Sequence, residues 1–482
     1  MSNNINSKVK EATKWSSIAE VISKLFSPIV SMVLARLLTP EAFGIVTTLT
    51  MIITFAEIFT DAGFQKYLIQ HQFIDDDDKN HCTNVAFWSN LVMSLVIWGI
   101  VSMFSDSIAV LVGNPGLGDV LVISCASIPL SAFSSIQMAL YKRELDFKTL
   151  FKVRLAGIMV PIIVTVPLAL ILKSYWALVL GNLTLNIINA ILLTWYSKWK
   201  PQLYYSFTKL KEMFSFTFWS MVEAICIWLT HYVDVFIVGT MLSQYYLGLY
   251  KTSSTLVGQI MGIVMTVTTP ILFSALSRLQ EDDISFQNLF FRFQKTVGLL
   301  IIPMGVGLFL FSDLATEIIL GNQWLEASSF VGLWALTSSI TIVLSHYASE
   351  VYRAKGRPKL SVLVQVLHII VLWPVVFISA QYGFETLYIS RSLVRFELIL
   401  VNLIVLRLAI GISPIKMLIN VLPSIIAAII MVIIFYMLPE TNTIYIQFAY
   451  MGICALAYVA IIFLFRDERS IILNLKTLIL RK

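Results

Sequence analysis

Long apolar runs set the rhythm of this chain. Stretches of about 20 residues with few charges follow one another from end to end, separated by short polar turns. That is the length an α-helix needs to cross the ~30 Å hydrocarbon core of a bilayer. The runs are continuous, whereas the strands of a transmembrane barrel alternate apolar and polar positions. The pattern predicts an all-α polytopic membrane protein with about fourteen transmembrane helices. They fall near 15–38, 43–64, 82–104, 119–140, 150–172, 175–197, 214–240, 248–272, 292–312, 328–352, 359–379, 384–408, 417–438 and 444–465. Several contain proline, among them Pro28, Pro161, Pro270, Pro303 and Pro374. Proline is tolerated in such helices and marks kinks.

Composition fits this pattern. Of the 482 residues 58% are hydrophobic and 13% charged, with a mean hydropathy of +0.84. Soluble domains are nearer a quarter charged. The net charge of +6 comes from basic turns, so nucleic acid is not an expected partner. The four cysteines, Cys82, Cys125, Cys226 and Cys454, show no metal or redox spacing and read as small core residues. "DDDDK", Asp75 to Lys79, reads as a solvated loop. "GNPGLG", Gly113 to Gly118, follows no strand and reads as a turn.

Lysine and arginine orient the spans, because cytoplasmic turns carry the excess of positive charge. With the N-terminus inside, 28 of the 34 Lys and Arg lie in inner segments or at their edges, and only Lys173 lies on an outer turn. Both termini are therefore expected in the cytoplasm. "LLTPEAFGIV" (Leu37 to Val46) aligns without gaps with "MLSQYYLGLY" (Met241 to Tyr250), pairing Thr39 with Ser243 and Gly44 with Gly248. A parallel repeat follows. It comprises an N-terminal lobe over 1–197, a cytoplasmic linker over 198–213, a second lobe over 214–408, and two extra helices with a cytoplasmic tail over 409–482. Such repeats place a transporter's substrate path near the bilayer midplane, between the repeats.

Two stretches carry a resemblance. "LARLLTPEAFGIVTTLTMIITFAEIFTDAGF" (Leu34 to Phe64) and the basic turn "YRAKGRPKL" (Tyr352 to Leu360) are similar to Wzx-type polysaccharide flippases. These belong to the multidrug/oligosaccharidyl-lipid/polysaccharide exporter superfamily, and the similarity is strongest to colanic-acid and lipopolysaccharide exporters. The resemblance implies export of undecaprenyl-diphosphate-linked oligosaccharide for O-antigen, capsule or exopolysaccharide. It also implies membrane lipids as partners, and a polysaccharide polymerase and glycosyltransferases as further ones. It supplies no functional residue.

Candidate site residues come from charges within spans, which are costly there and usually functional. Span 1 carries a polar stripe of Ser16, Glu20, Lys24, Ser27 and Ser31 on one helix face. Lys24 lies about 14 Å along the axis from the inner end. A Glu20–Lys24 pair would be the purely structural alternative. Arg36, Lys251, Arg391 and Arg395 add cations suited to a diphosphate, with arginine giving forked contacts. Glu223 and Asp234 sit on span 7 and complete the expected substrate-binding set. Glu57, Asp61 and Glu20 are the candidates for ion coupling, to Na+ or H+. Trp219, Trp228, Tyr232, Tyr245, Tyr246 and Tyr250 could stack on sugars. No cofactor, metal ligand or catalytic residue is expected. Two other functions compete: a cation-coupled drug antiporter of the same superfamily, and a membrane-embedded polysaccharide polymerase. The antiporter predicts an acid-dominated cavity. The polymerase predicts a large outer loop, and no connection on that side is long.

Overall fold

The computed structural model describes residues 2–61, 63–441 and 443–471, without the side chains of 2–10, 61, 214–220, 222 and 223. Among the described residues there is helix and no strand. The helices, in chain order, begin with α1 (Ser2–Leu37), α2 (Pro40–Asp61), α3 (Asp76–Met103), α4 (Gly118–Arg143) and α5 (Phe147–Leu172). There follow α6 (Trp176–Tyr196), α7 (Phe207–Met241), α8 (Gln244–Ser277), α9 (Asp283–Leu310) and α10 (Asn322–Ala354). Then come α11 (Lys359–Ala380), α12 (Phe384–Leu393 continued by Arg395–Val405), α13 (Pro414–Met437) and α14 (Ile444–Ile462).

Thirteen of the described helices are long and apolar enough to cross a membrane. The segment that the expected fourteen add is α12. It is helical, but it is interrupted at Val394 and carries Glu385, Arg391, Arg395 and Glu397. Its charges lower its apolarity below that of its neighbours.

Local chemistry explains several boundaries. The "DDDDK" stretch is not a loop, as expected, but the start of α3. The Asp75 carboxylate accepts the Asp78 N–H at 2.7 Å, and Asp76, Asp77 and Asp78 occupy the first turn. Acidic groups there complement the helix dipole. Asp282 caps α9 in the same way, accepting from the Ile284 and Ser285 N–H groups. In α5, Pro161 has no N–H to give, and a π-turn over Pro161–Thr165 absorbs the mismatch.

Packing divides the chain into two compact units, Met1–Lys251 and Thr252–Lys482. In the first, α2 lies against α3, α4 and α7, and α4 lies against α3 and α6. Ile45, Leu49, Ile53, Leu121, Cys125 and Ile128 form its central core. A second cluster, around Phe64, Leu68, Phe87, Ile136 and Met213, lies where the chain carries Lys66, Lys142 and Arg143. There Arg143 donates to the carbonyls of Leu68 and His71, both at 2.7 Å, and holds the short helix Phe64–Gln70 against α4.

The two aligned stretches meet each other inside this unit. A Cβ on Gly44 would overlap the backbone of Gln244, and a Cβ on Gly248 would overlap the backbone of Pro40. Pro40 and Gln244 are themselves partners in the alignment, so the contact is reciprocal. Small residues allow this close helix approach. The Gln244 side chain completes it, accepting from the Thr48 hydroxyl at 3.1 Å and donating to the Gly113 carbonyl at 2.9 Å.

In the second unit α9 packs against α10 and α13, α13 against α14, and α11 against α12. Gly305 of α9 lies so close to Ser339 of α10 that a Cβ would overlap it. Three cysteines are buried as expected, but Cys226 is exposed on α7. An apolar bilayer accepts a thiol on its outer face as readily as a core does, so burial could not be read from apolarity.

Candidate substrate-binding site

Among its described residues the first unit holds two cavities with polar walls. One, of about 570 Å³, is lined by Glu57 of α2, Lys66 of the short helix, Ser131, Ser135 and Lys142 of α4, and Asn186 and Asn189 of α6. The other, of about 530 Å³, is lined by Ser23, Ser27 and Ser31 of α1, Arg154 and Thr165 of α5, and Asn182 and Asn189 of α6. Asn189 borders both. In the wall of the second, α5 and α6 are held close at one point. Gly181 of α6 packs on Thr165, where a Cβ would collide, and the π-turn of α5 lies at that level.

The span 1 stripe therefore lines a polar cleft through Ser27 and Ser31. Its charges are not a self-contained pair. Glu20 accepts from Arg154 of α5 at 2.8 Å, and Lys24 is half-buried one turn further along α1. Both members of the Glu20–Arg154 pair are more than a third exposed, so the pair is worth little as stabilisation. Arg36 is exposed at the end of α1.

Asp234 is buried between α7 and α8. Its carboxylate accepts the Tyr250 hydroxyl at 2.6 Å and the Val235 N–H at 2.8 Å. Tyr250 is itself buried, so packing uses the aromatic face expected to meet sugar. Lys251 stands 5.4 Å from the centre of the Tyr232 ring. Trp228 stacks near Tyr232 and donates to Thr54 of α2 at 3.2 Å, tying α7 to α2. Tyr245 and Tyr246 are half-buried near the start of α8. The side chains of Asp61, Glu223 and Trp219 lie outside the described residues.

The second unit gathers charge around one indole. The Arg395 guanidinium lies 3.3 Å from the centre of the buried Trp334 ring, and that of Arg391 lies 5.1 Å from it. Arg395 also donates to the Ser338 hydroxyl. Glu397, which cannot reach Arg395 along its own helix, pairs instead with His368 of α11 at 2.8 Å. The sequence placed Arg391 and Arg395 on one face. It missed Trp334 and His368, since one more aromatic in an apolar run and one more histidine carry no periodic signal.

Residues 33–329 match the family described as polysaccharide biosynthesis protein. The chain belongs to that family. This family member is 22% identical to the lipopolysaccharide biosynthesis protein WzxC of Escherichia coli strain K12, over 78% of this chain and 76% of the relative. It is 23% identical to the succinoglycan biosynthesis transport protein ExoT of Rhizobium meliloti strain 1021, over 70% and 68%. It is also 21% identical to an uncharacterized membrane protein in the cps region of Klebsiella pneumoniae, over 78% and 77%. Its fold is similar to that of the lipid II flippase MurJ in an inward-closed conformation, with a TM-score of 0.75 at 15% identity. That match covers 95% of this chain and 99% of the other. An inward-facing MATE multidrug transporter of the MOP superfamily gives 0.61 at 12% identity, over 83% and 98%. Such identities speak to fold alone. The resemblance read from the sequence to Wzx-type flippases stands, and among the named proteins ExoT is a transport protein and MurJ a flippase.

Proposed function

We propose that this family member moves a polyprenyl-diphosphate-linked oligosaccharide from the inner to the outer leaflet of the bacterial inner membrane, supplying surface polysaccharide synthesis. The observation that carries this reading is the pair of guanidiniums, Arg391 and Arg395, gathered against the buried Trp334 ring. Arginine binds phosphate in forked geometry and tolerates partial desolvation on an aromatic face. A diphosphate entering the bilayer must exchange its water for such groups, at a cost of several kcal/mol per ion unless it is paired. Lys24 and Lys251 add to the same sum.

Alternating access between the two six-helix lobes is the proposed motion. The basic turns and both termini face the cytoplasm in this scheme. Glycosyltransferases supply the cargo and a polymerase receives it. Coupling to Na+ or H+ belongs to the proposal without an assigned ion. The drug antiporter is less well supported, because cations outnumber carboxylates among the described groups lining the two cavities. The test is restoration of surface polysaccharide in a flippase-null strain, with membrane levels checked. Neutralising Lys24, Lys251, Arg391 and Arg395 together should abolish export. Normal export by that variant would overturn the reading.

A further inference from the structure

The 570 Å³ cavity of the first unit is lined by two lysines and one carboxylate among its described residues. Lys142 lies near the end of α4, and Ser131 lies eleven residues deeper on the same helix, roughly 16 Å along the axis. Lys66, exposed on the short helix held by Arg143, lines the cavity together with half-buried Lys142. Half-buried Glu57 of α2 lines it within hydrogen-bonding reach of Ser131. Asn186 and Asn189 supply amide groups on the wall. A carboxylate only accepts hydrogen bonds, whereas serine and asparagine both donate and accept.

We infer that this cavity is the subsite for the first sugar of the cargo, and that Glu57 selects a neutral, hydroxyl-bearing sugar against an acidic one. The inference rests on the lipid-linked-sugar reading and specifies its substrate class. Lys66 and Lys142 draw the anionic head as the cargo enters, a step that precedes its pairing with Arg391 and Arg395. The sugar points inward, where its hydroxyl groups donate to Glu57 and exchange bonds with the asparagines. A uronate in the same place brings its carboxylate against that of Glu57, in surroundings that screen poorly. The volume admits one or two sugar rings and not a whole repeat unit, so the discrimination concerns the reducing-end sugar.

The test uses the full chain in lipid nanodiscs and two probes, a short-chain prenyl diphosphate bearing glucose and the same lipid bearing glucuronate. Binding is followed by intrinsic tryptophan fluorescence. The wild type should bind the glucose probe about tenfold or more tightly than the glucuronate probe, the size expected for a hydrogen bond to a charged group. Glu57→Gln should bring the two within about threefold, chiefly by improving the glucuronate. Glu57→Asp should keep the preference, and Lys142→Ala should weaken both probes alike. Should Glu57→Gln fail to fold, Ser131→Ala, which frees the carboxylate from its neighbour, should keep or sharpen the preference, and a lost preference in that variant overturns the inference.

A wild type indifferent to the sugar overturns the inference, as does a Glu57→Gln that keeps the preference and alters only the pH dependence of transport. In both cases the flippase reading survives. If neither probe binds the wild type, both fall.

Discussion

The reciprocal glycine contact makes a quantitative prediction. Replacing Gly44 by alanine puts a methyl group into the backbone of Gln244, and Gly248→Ala puts one into the backbone of Pro40. Backbone cannot rotate aside as a side-chain tip can, so the start of α8 must move away from α2. Overpacking of this kind costs about 1–3 kcal/mol. Both substitutions act on one crossing. Once the first has separated the helices, the second meets less resistance. The double variant should therefore cost little more than the worse single one, leaving a coupling of about 1–3 kcal/mol against additivity. Gly99 and Gly258 are the controls, since a Cβ at either meets nothing within 4 Å. Alanine at these helical sites should be neutral or stabilising by about 0.5–1 kcal/mol, because glycine loses more backbone freedom on folding. The assay is the unfolding free energy of the purified protein in a fixed detergent, measured for all five variants. If Gly44→Ala and Gly248→Ala are as mild as Gly99→Ala, or if their costs simply add, the close crossing is not as described.

Other outcomes follow from the same structure. Cysteine-accessibility labelling should place Lys142 and Arg357 on the cytoplasmic side and Lys173 on the other, and a periplasmic Arg357 would invalidate the span order. Lys24→Ala should abolish export while Glu20→Gln, which loses only a solvent-exposed pair with Arg154, should shift stability by less than about 1 kcal/mol. Trp334→Leu should weaken export about as much as Arg395→Ala, and normal export by Trp334→Leu would show that the indole does not orient the guanidiniums. The Asp78 carboxylate, which accepts from Lys209 and pairs with it, raises the Lys209 pKa above its ordinary value. The pair's contribution to stability is thus fully present below the unfolded lysine pKa of about 10.4. It is lost as pH rises through the higher folded value. A stability–pH curve for Lys209→Ala should lack that alkaline loss.

Much of this protein is written in the linear pattern. A hydrophobic run of given length needs only a bilayer and its own backbone hydrogen bonds to become a spanning helix, so the helices fall close to the apolar runs. The stripe of span 1 was legible because helical spacing puts its polar residues on one face, and Ser27 and Ser31 do line a cavity. The placing of Arg391 and Arg395 on one helix face was legible for the same reason. The family likeness was carried by contiguous stretches, which need no folding to be seen.

Only the tertiary structure decided who meets whom. Glu20 pairs with a residue 134 positions away, and Glu397 with one 29 positions away on another helix. Asp234 turned inward to Tyr250, while Glu57 came to share a cavity with Lys66 and Lys142. The reason lies in the solvent. In water, burial separates apolar faces from polar ones and a helix declares which side faces the core. In a bilayer the lipid is as apolar as the protein interior, so a helix face toward lipid and a face toward its neighbour read alike. Periodicity shows that a polar face exists, and the packing of the other helices determines what stands opposite it.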